Sequence, residues 1–315
     1  MTAPGLIADI GGTNARFALV APDSGLAERP EVLPCARFPG PAEAARAYLA
    51  HLALSEPPRR AAFAVASPVL GDRIAMTNHA WRFSVSDVKD SLNLERLDVV
   101  NDFTAVALAA PRLTDADKAA VGGGVPQAGR PIAVLGPGTG LGVSAMVPTP
   151  GGWQPLATEG GHITMPAADH RDAEVLDWLR ARWGHVSAER VLSGPGLVNL
   201  YEALAGISGE PAPPLSPEEL THRALAGEFL PKAALDMFFA MLGTIAGDLA
   251  LTVGALGGVL IAGGIVPRLI EPLRASDFRR RFEDKGRFRS YLQGIPVHVV
   301  THPYPAFLGL AGLVG

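Results

Sequence analysis

The chain has 315 residues, 48% of them hydrophobic, which suits two domains of ordinary size better than one. Its net charge is −4 and its basic residues are scattered, which argues against nucleic acid or an anionic membrane as a partner. The single cysteine, Cys35, excludes an internal disulfide and a zinc site built on several thiolates, and it fits a reducing cytoplasm.

The first predicted elements form a hairpin near the N-terminus. Residues 6–10 are an apolar strand, Gly11-Gly12-Thr13 interrupts it, and residues 15–20 resume as a second strand. The opening sequence lacks a basic region followed by a long apolar run, so no secretory signal is predicted.

Helices and strands then alternate. Residues 41–54 have the pattern of an amphipathic helix, residues 61–66 that of a buried strand, and residues 97–100 that of a strand leading into a helix from Thr104. This alternation indicates an α/β domain.

The hairpin design recurs in the second half of the chain. Residues 131–135 form a strand, 136–140 a glycine-rich turn and 141–147 the returning strand, which suggests two related halves. The change of domain is expected within residues 113–130, where three glycines follow one another.

The second domain is expected to be larger and richer in helix. Helical patterns dominate residues 173–256, and a proline-rich loop is predicted at 210–217. The uncharged stretch 249–267 has the length of a membrane span, but its five glycines favour a buried helix, a turn and a buried strand.

Phosphate binding requires a particular backbone, and the common GxxxxGK[ST] and GxGxxG motifs are absent. In the first hairpin, Gly11 and Gly12 let the backbone approach phosphate oxygens, while Thr13 offers a hydroxyl and Asp9 a carboxylate for the water shell of Mg²⁺. An ordinary glycine turn is the alternative interpretation of this motif.

A second turn weakens that alternative, because two facing turns can grip a polyphosphate from both sides. Its residues are Gly138, Thr139 and Gly140. A later apolar run ends at Gly263 and Gly264, where a flat base or ribose could lie against the backbone.

These three motifs carry a resemblance. DIGGT, GPGTGLG and IAGGIVPR resemble, in this order, the phosphate-1, phosphate-2 and adenosine motifs of the actin, Hsp70 and sugar kinase superfamily. NDFTAVALA, TEGGHITMP, AERVLSGPGLVNLY and THPYPAFLGLAG resemble the bacterial glucokinase family more narrowly, and the likeness covers nearly the whole chain.

The resemblance implies a two-domain actin-like (ribonuclease H-like) α/β fold with a cleft between its domains. The small α/β domain is expected at residues 1–112, completed by about 302–315, and the larger helix-rich domain at 113–301. It further implies a cytoplasmic homodimer that uses ATP and Mg²⁺ to phosphorylate D-glucose at the 6-hydroxyl.

Asp102 lies between the strand predicted at 97–100 and the helix predicted from Thr104. By its position alone it could be a helix cap. The resemblance implies instead that Asp102 is the catalytic base and that Asn101 beside it hydrogen-bonds the sugar.

Three more polar residues are candidates for the sugar site. Glu159 and His162 flank two glycines that allow a sharp turn, and Glu189 follows a cap expected at Ser187. A metal ligand at His162 and a solvated pairing of Glu189 with Arg190 are the alternatives. The resemblance assigns all three residues to sugar hydroxyls.

Other assignments stay open at this point. Trp81, in the segment NHAWRFS, is expected to pack in the core or at a hinge. Related sugar kinases of the ROK family usually carry a cysteine-rich zinc motif, which a single cysteine excludes. A kinase of another hexose and a non-catalytic glucose-sensing regulator are the alternative functions.

Overall fold

The computed structural model describes residues 3–52 and 54–315. Contacts divide the chain into two compact units. The first contains the chain up to Leu113, Trp153–Ala157 and His302–Gly315, and the second contains Thr114–Gly152 and Thr158–Thr301. The domain boundaries expected from the sequence stay a prediction.

The secondary structure is mixed throughout. The strands are β1 (Gly5–Ile10), β2 (Asn14–Val20), β3 (Ala27–Pro34), β4 (Arg60–Val65), β5 (Arg73–Ala75), β6 (Arg82–Ser84), β7 (Arg96–Asn101), β8 (Lys118–Gly122), β9 (Ile132–Pro137), β10 (Leu141–Thr149), β11 (Gly152–Ala157), β12 (Gly258–Ile261) and β13 (Val297–Val300). The α-helices are α1 (Pro41–Ala50), α2 (Val85–Ser91), α3 (Asp102–Ala109), α4 (His170–Trp183), α5 (Gly194–Ser208), α6 (Pro217–Leu225), α7 (Phe229–Val253), α8 (Ile270–Arg274), α9 (Phe278–Glu283), α10 (Arg289–Gln293) and α11 (Pro305–Val314).

The sheet of the first unit has the order β3-β2-β1-β4-β7. Strands β1, β2 and β3 pair antiparallel, whereas β4 and β7 run parallel to β1. Strand β1 is buried almost throughout because apolar residues point to both faces of the sheet, and exposed β3 forms an edge.

Helices cover both faces of this sheet. One face packs against α1, with Tyr48 stacked on Phe17 at 5.5 Å between ring centroids. The other face contacts α3 and α11, which approach closely at Gly309, where a Cβ would lie 2.0 Å from the carbonyl oxygen of Ala105. The C-terminal helix therefore completes the core of the first unit.

In the second unit, the run of strands β10-β9-β12-β13 has the same order and senses as the run β2-β1-β4-β7 of the first sheet, and β8 is added at its edge. Strands β9 and β10 are antiparallel, β12 and β13 run parallel to β9, and β8 pairs antiparallel at the edge. The two related halves expected from the glycine-threonine hairpins are therefore present, and the second unit holds α4 to α10.

Several helices and strands begin or end at residues other than those expected from the sequence. The helix expected at 41–54 ends at Ala50, and position 53 lies outside the described residues. Strand β9 continues to Pro137, so the second glycine turn is confined to 138–140. Helix α3 begins at Asp102 instead of Thr104, and the segment 113–130 contains edge strand β8 as well as a linker.

The apolar stretch 249–267 forms the expected helix end, turn and buried strand, since α7 ends at Val253 and β12 follows at Gly258. Among the described residues, α7 is long and apolar enough to cross a membrane by length and composition alone. However, 72% of its most apolar window is buried inside the protein, as in a core helix.

Candidate active site

The turn between β1 and β2 has a fixed backbone and an exposed threonine. The amide of Gly11 donates to Asn14 O at 2.9 Å, and the amide of Cys35 donates to Thr13 O at 2.9 Å. A Cβ at Gly12 would lie 2.7 Å from Asn78 O, so this close approach requires glycine. The hydroxyl of Thr13 is left at the surface of a preformed turn.

Asp9 lies at the end of β1, directly opposite Arg16 of β2. The two side chains form an ion pair, with Arg16 Nη1 at 3.2 Å from Asp9 Oδ2. Burial raises the pKa of Asp9 above its ordinary value, and the neighbouring Arg16 offsets part of that rise. A nearby cation would therefore favour the ionised carboxylate.

A magnesium ion held mainly by water and substrate phosphates fits this arrangement. Mg²⁺ usually takes one or two protein carboxylates and keeps several waters. Across residues 3–52 and 54–315, the structure contains no group of three or more His, Cys, Asp or Glu side chains that could hold a metal. A single carboxylate such as that of Asp9 is compatible with an ion of this kind.

Asn101 and Asp102 stand where β7 runs into α3. Asn101 is the N-cap, and its Oδ1 accepts from the amides of Phe103 at 2.9 Å and Thr104 at 3.2 Å. The interpretation of Asp102 as a possible cap is therefore wrong, because the strand extends one residue further than expected. Asp102 is the first helical residue, half-buried, and its Oδ1 accepts from Phe103 N at 2.8 Å.

The end of β7 and the first turn share one edge of the sheet. Ile10 pairs with Val65, which in turn pairs with Asn101, so these three residues form a row at the carboxyl ends of parallel strands. Ligands of open α/β sheets bind at this edge. The structure therefore brings Asp102 to the same edge of the first unit as Gly11.

The second turn, at residues 138–140, is held from two directions. The amide of Gly138 donates to Gly140 O at 2.8 Å, closing the turn. The amide of Gly194, at the start of α5, donates to Gly138 O at 2.8 Å. Thr139 at the tip is exposed, as Thr13 is in the first turn.

The three acidic and imidazole side chains predicted for the sugar site converge. His162 Nδ1 lies 3.8 Å from Glu189 Oε1, and His162 Nε2 lies 4.0 Å from Glu159 Oε2. The turn that presents His162 depends on Gly161, where a Cβ would lie 2.1 Å from Leu141 O. The imidazole thus stands between two carboxylates beside the second glycine turn.

The pairing of Glu189 with Arg190 is not what the structure contains. Glu189 Oε2 accepts from the backbone amide of Leu141 at 2.9 Å. The guanidinium of Arg190 lies over the ring of Trp183 at 4.9 Å from its centroid. Glu189 faces a depression of about 490 Å³ that is also lined by Thr139, His162, Trp183, Arg190 and Asn199.

The cap expected at Ser187 is present, because its side chain accepts from the amide of Arg190.

A second depression of about 500 Å³ adjoins the same turn. Gly138 and Thr139 line it together with Gly264 and one side of α6. Gly263 has φ +85°, and a Cβ there would lie 2.3 Å from Pro137 O. The chain after β12 can therefore come this close to the end of β9 only because residue 263 is glycine. The other lining residues include Glu218, Thr221, His222, Leu225 and Arg268.

Sequence reasoning missed the contribution of α6 to this depression. The helix carries an ordinary start signal, with Ser216 as N-cap and Pro217 in its first turn. No motif distinguishes its pocket-facing side from its solvent-facing side. The signal that exists is its position directly after the proline-rich loop.

Trp81 packs in the core, which is one of the two roles expected for it; the other was packing at a hinge. It is 3% exposed, its indole Nε1 donates to Phe38 O at 2.9 Å, and its ring packs edge-on against His79 at 5.1 Å. The indole N–H has a partner, so burial of the ring is favourable.

The chain matches the family model described as Glucokinase over residues 6–314. It is 58% identical to the glucokinase of Paramagnetospirillum magneticum, covering 98% of this chain and 97% of that one. It is 51% identical to the glucokinase of Aromatoleum aromaticum, covering 98% and 94%.

Among solved structures, glucokinase from an Antarctic psychrotroph matches with a TM-score of 0.91 and 40% identity, covering 100% of this chain and 99% of that one. A ROK family glucokinase from Streptomyces griseus, in complex with glucose and AMPPNP, matches at 18% identity and a TM-score of 0.65, covering 99% of each chain, which shows the fold alone. The predicted actin-like kinase fold is confirmed. The match over residues 6–314 and the identity to curated relatives show that the chain belongs to the glucokinase family.

Proposed function

We propose that the chain transfers the γ-phosphoryl group of MgATP to the 6-hydroxyl of D-glucose, releasing ADP and glucose 6-phosphate. As a member of the glucokinase family, the chain is an enzyme that phosphorylates glucose with ATP. One observation carries the assignment of the site: Glu159 and Glu189 converge on His162 directly beside the glycine turn at 138–140.

Sugar recognition falls to groups that exchange hydrogen bonds with adjacent hydroxyls. The carboxylates of Glu159 and Glu189 accept, His162 donates or accepts according to its tautomer, and Asn101 adds an amide. A hexose with a misplaced hydroxyl covers one of these groups without pairing it, which penalises its binding. This polar set therefore favours one arrangement of ring hydroxyls.

The nucleotide is assigned to the glycine turns and the α6 depression. The proposed phosphate contacts are the turns at 11–13 and 138–140, each with an exposed threonine at its tip. The nucleoside is placed against Gly263 and Gly264, with α6 as the facing wall. Asp9 would hold the Mg²⁺, which neutralises charge on the phosphates when bound.

Asp102 is the proposed base. As the glucose 6-hydroxyl oxygen attacks the γ-phosphorus, its proton passes to the Asp102 carboxylate, and the bond between phosphorus and the β,γ-bridging oxygen breaks. Asp102 lies in the first turn of α3, where the helix dipole favours its negative charge. Asn101 carries the cap of α3, so capping does not explain the carboxylate at position 102.

Two further assignments rest on the family resemblance. We place the enzyme in the cytoplasm, with its product entering glycolysis, and Cys35 is a buried free thiol, as expected in a reducing compartment. We also propose a homodimer, which size-exclusion chromatography with light scattering would test.

A coupled assay across a panel of hexoses tests the proposed function. We expect ATP-dependent phosphorylation with the highest kcat/KM for glucose among glucose, mannose, fructose and N-acetylglucosamine. A higher kcat/KM for another hexose would show that the polar set at His162 selects a different sugar.

A further inference from the structure

Glu189 makes two different contacts with its two carboxylate oxygens. Oε2 accepts from the amide of Leu141 at 2.9 Å, directly after the turn at 138–140. Oε1 lies 3.8 Å from His162 Nδ1 and faces the proposed sugar site. A single side chain therefore touches both the phosphate turn and the sugar side.

The packing around this carboxylate leaves it little freedom. A Cβ added to Gly140 would lie 2.4 Å from Glu189 Oε2 and 3.2 Å from its Cδ. The carbonyl of Glu189 accepts from Ser193 Oγ at 2.8 Å, and the next residue, Gly194, donates to Gly138 O at 2.8 Å. Residues 189–194 thus hold the turn at both of its ends.

Glu159 provides a natural contrast. It faces the same imidazole, with Oε2 4.0 Å from His162 Nε2, but its side chain is 57% exposed against 34% for Glu189. The described contacts of Glu159 include no bond to the turn at 138–140. The two carboxylates therefore share chemistry and differ in this one connection.

We infer that Glu189 is a positioning residue that couples glucose binding to the conformation of the turn at 138–140. A sugar hydroxyl on Oε1 would fix the carboxylate in the orientation in which Oε2 holds the Leu141 amide. A correctly held turn would in return present Oε1 to the sugar. Such coupling is reciprocal, so each ligand raises the affinity of the other by the same factor. This inference rests on the proposed function.

The first test perturbs the turn and measures the sugar. Glucose affinity is determined by calorimetry without nucleotide for Gly140→Ala and for Gly138→Ala. The Gly140 Cβ displaces the Glu189 carboxylate, and loss of one hydrogen bond weakens glucose binding about 3- to 10-fold. The nearest atom to a Gly138 Cβ is 3.9 Å away, so Gly138→Ala should bind glucose like the unmodified chain. Equal affinities in all three would overturn the inference.

The second test shortens each carboxylate by one methylene while keeping its charge. For Glu189→Asp and Glu159→Asp, the affinity of a non-hydrolysable ATP analogue is measured with and without saturating glucose. We expect the factor by which glucose tightens the analogue to fall at least about 3-fold in Glu189→Asp only. A factor of one in the unmodified chain, or the same factor in both variants, would contradict the coupling.

The outcomes separate the inference from the proposed function. If both Asp variants bind glucose normally, the sugar assignment of Glu159 and Glu189 is wrong. If both weaken glucose while Gly140→Ala does not and the coupling factors agree, the sugar assignment stands and Glu189 is an ordinary ligand. Thermal unfolding of each variant identifies any loss caused by misfolding.

Discussion

The replacement Asp102→Asn separates catalysis from helix capping. Asn101, which accepts two amide bonds at 2.9 and 3.2 Å, keeps the cap of α3. The amide at position 102 can still accept from Phe103 N, so the variant loses a negative charge at a helix N-terminus, worth about 0.3 to 1 kcal/mol. Loss of a positioned base lowers kcat by about 10² to 10⁴, or roughly 3 to 5 kcal/mol of activation free energy. The catalytic effect should therefore exceed the stability effect several-fold.

The assay pairs steady-state kinetics with binding and unfolding measurements. We expect Asp102→Asn to bind glucose and MgATP with affinities near those of the unmodified chain while kcat collapses. Asp87→Asn is the matched control, because Asp87 lies in the first turn of α2 behind the N-cap Ser84. It should show a similar small loss of stability and an unchanged kcat. A kcat within about threefold of normal in Asp102→Asn would refute its role as base.

Three further predictions concern the second unit. Thr221→Trp should fill the depression lined by α6 and raise the KM for ATP at least about tenfold, while glucose affinity stays unchanged. An unaltered KM would show that α6 does not line the nucleoside site. Burial, with Lys118 nearby, lowers the pKa of His298 below its ordinary value of 6.5. Between the lowered pKa and pH 6.5 the folded state binds fewer protons than the unfolded state, so stability falls as the pH drops through this range. His298→Asn should flatten that fall in thermal unfolding; the same pH slope in both proteins would contradict this account. Arg281→Met should cost about 3 to 5 kcal/mol in urea unfolding because it leaves the carboxylate of Asp172 buried without its partner, and Asp172→Leu in the same chain should restore most of that loss. If the second change restores nothing, the unpaired carboxylate is not the cause.

Local chemistry explains which parts of the fold could be predicted. A short glycine turn between two apolar runs of strand length indicates a hairpin, and both predicted hairpins are present. The exact ends of the strands, in contrast, depend on which residues pair between strands in the folded protein. Pro137 remains in β9 because it pairs opposite Leu141 and its carbonyl accepts from Ile265, whereas the local pattern placed a proline in the turn.

The same distinction applies to the site. Asn and Asp cap helices about equally well, so no local signal could decide which of residues 101 and 102 is the cap. The bond from Leu141 to Glu189 joins residues 48 apart in the chain, and such a contact has no sequence pattern. The resemblance could therefore name candidate polar residues, while the contacts that they make with the rest of the chain required the structure.

The repeated topology accounts for the position of Asp102, the proposed base, in the first unit. In each sheet the glycine turn follows the first strand of an antiparallel pair, and two parallel strands follow in the same order. The last of these in the first unit, β7, runs into α3 and so places Asp102 in a first helical turn at the carboxyl edge. Its counterpart β13 ends at Val300, and after Thr301 the chain belongs to the first unit, so no helix of the second unit follows that strand. Both halves therefore share a glycine turn, whereas the carboxylate that follows the last parallel strand of the first half stands at the start of α3, a helix of the same unit.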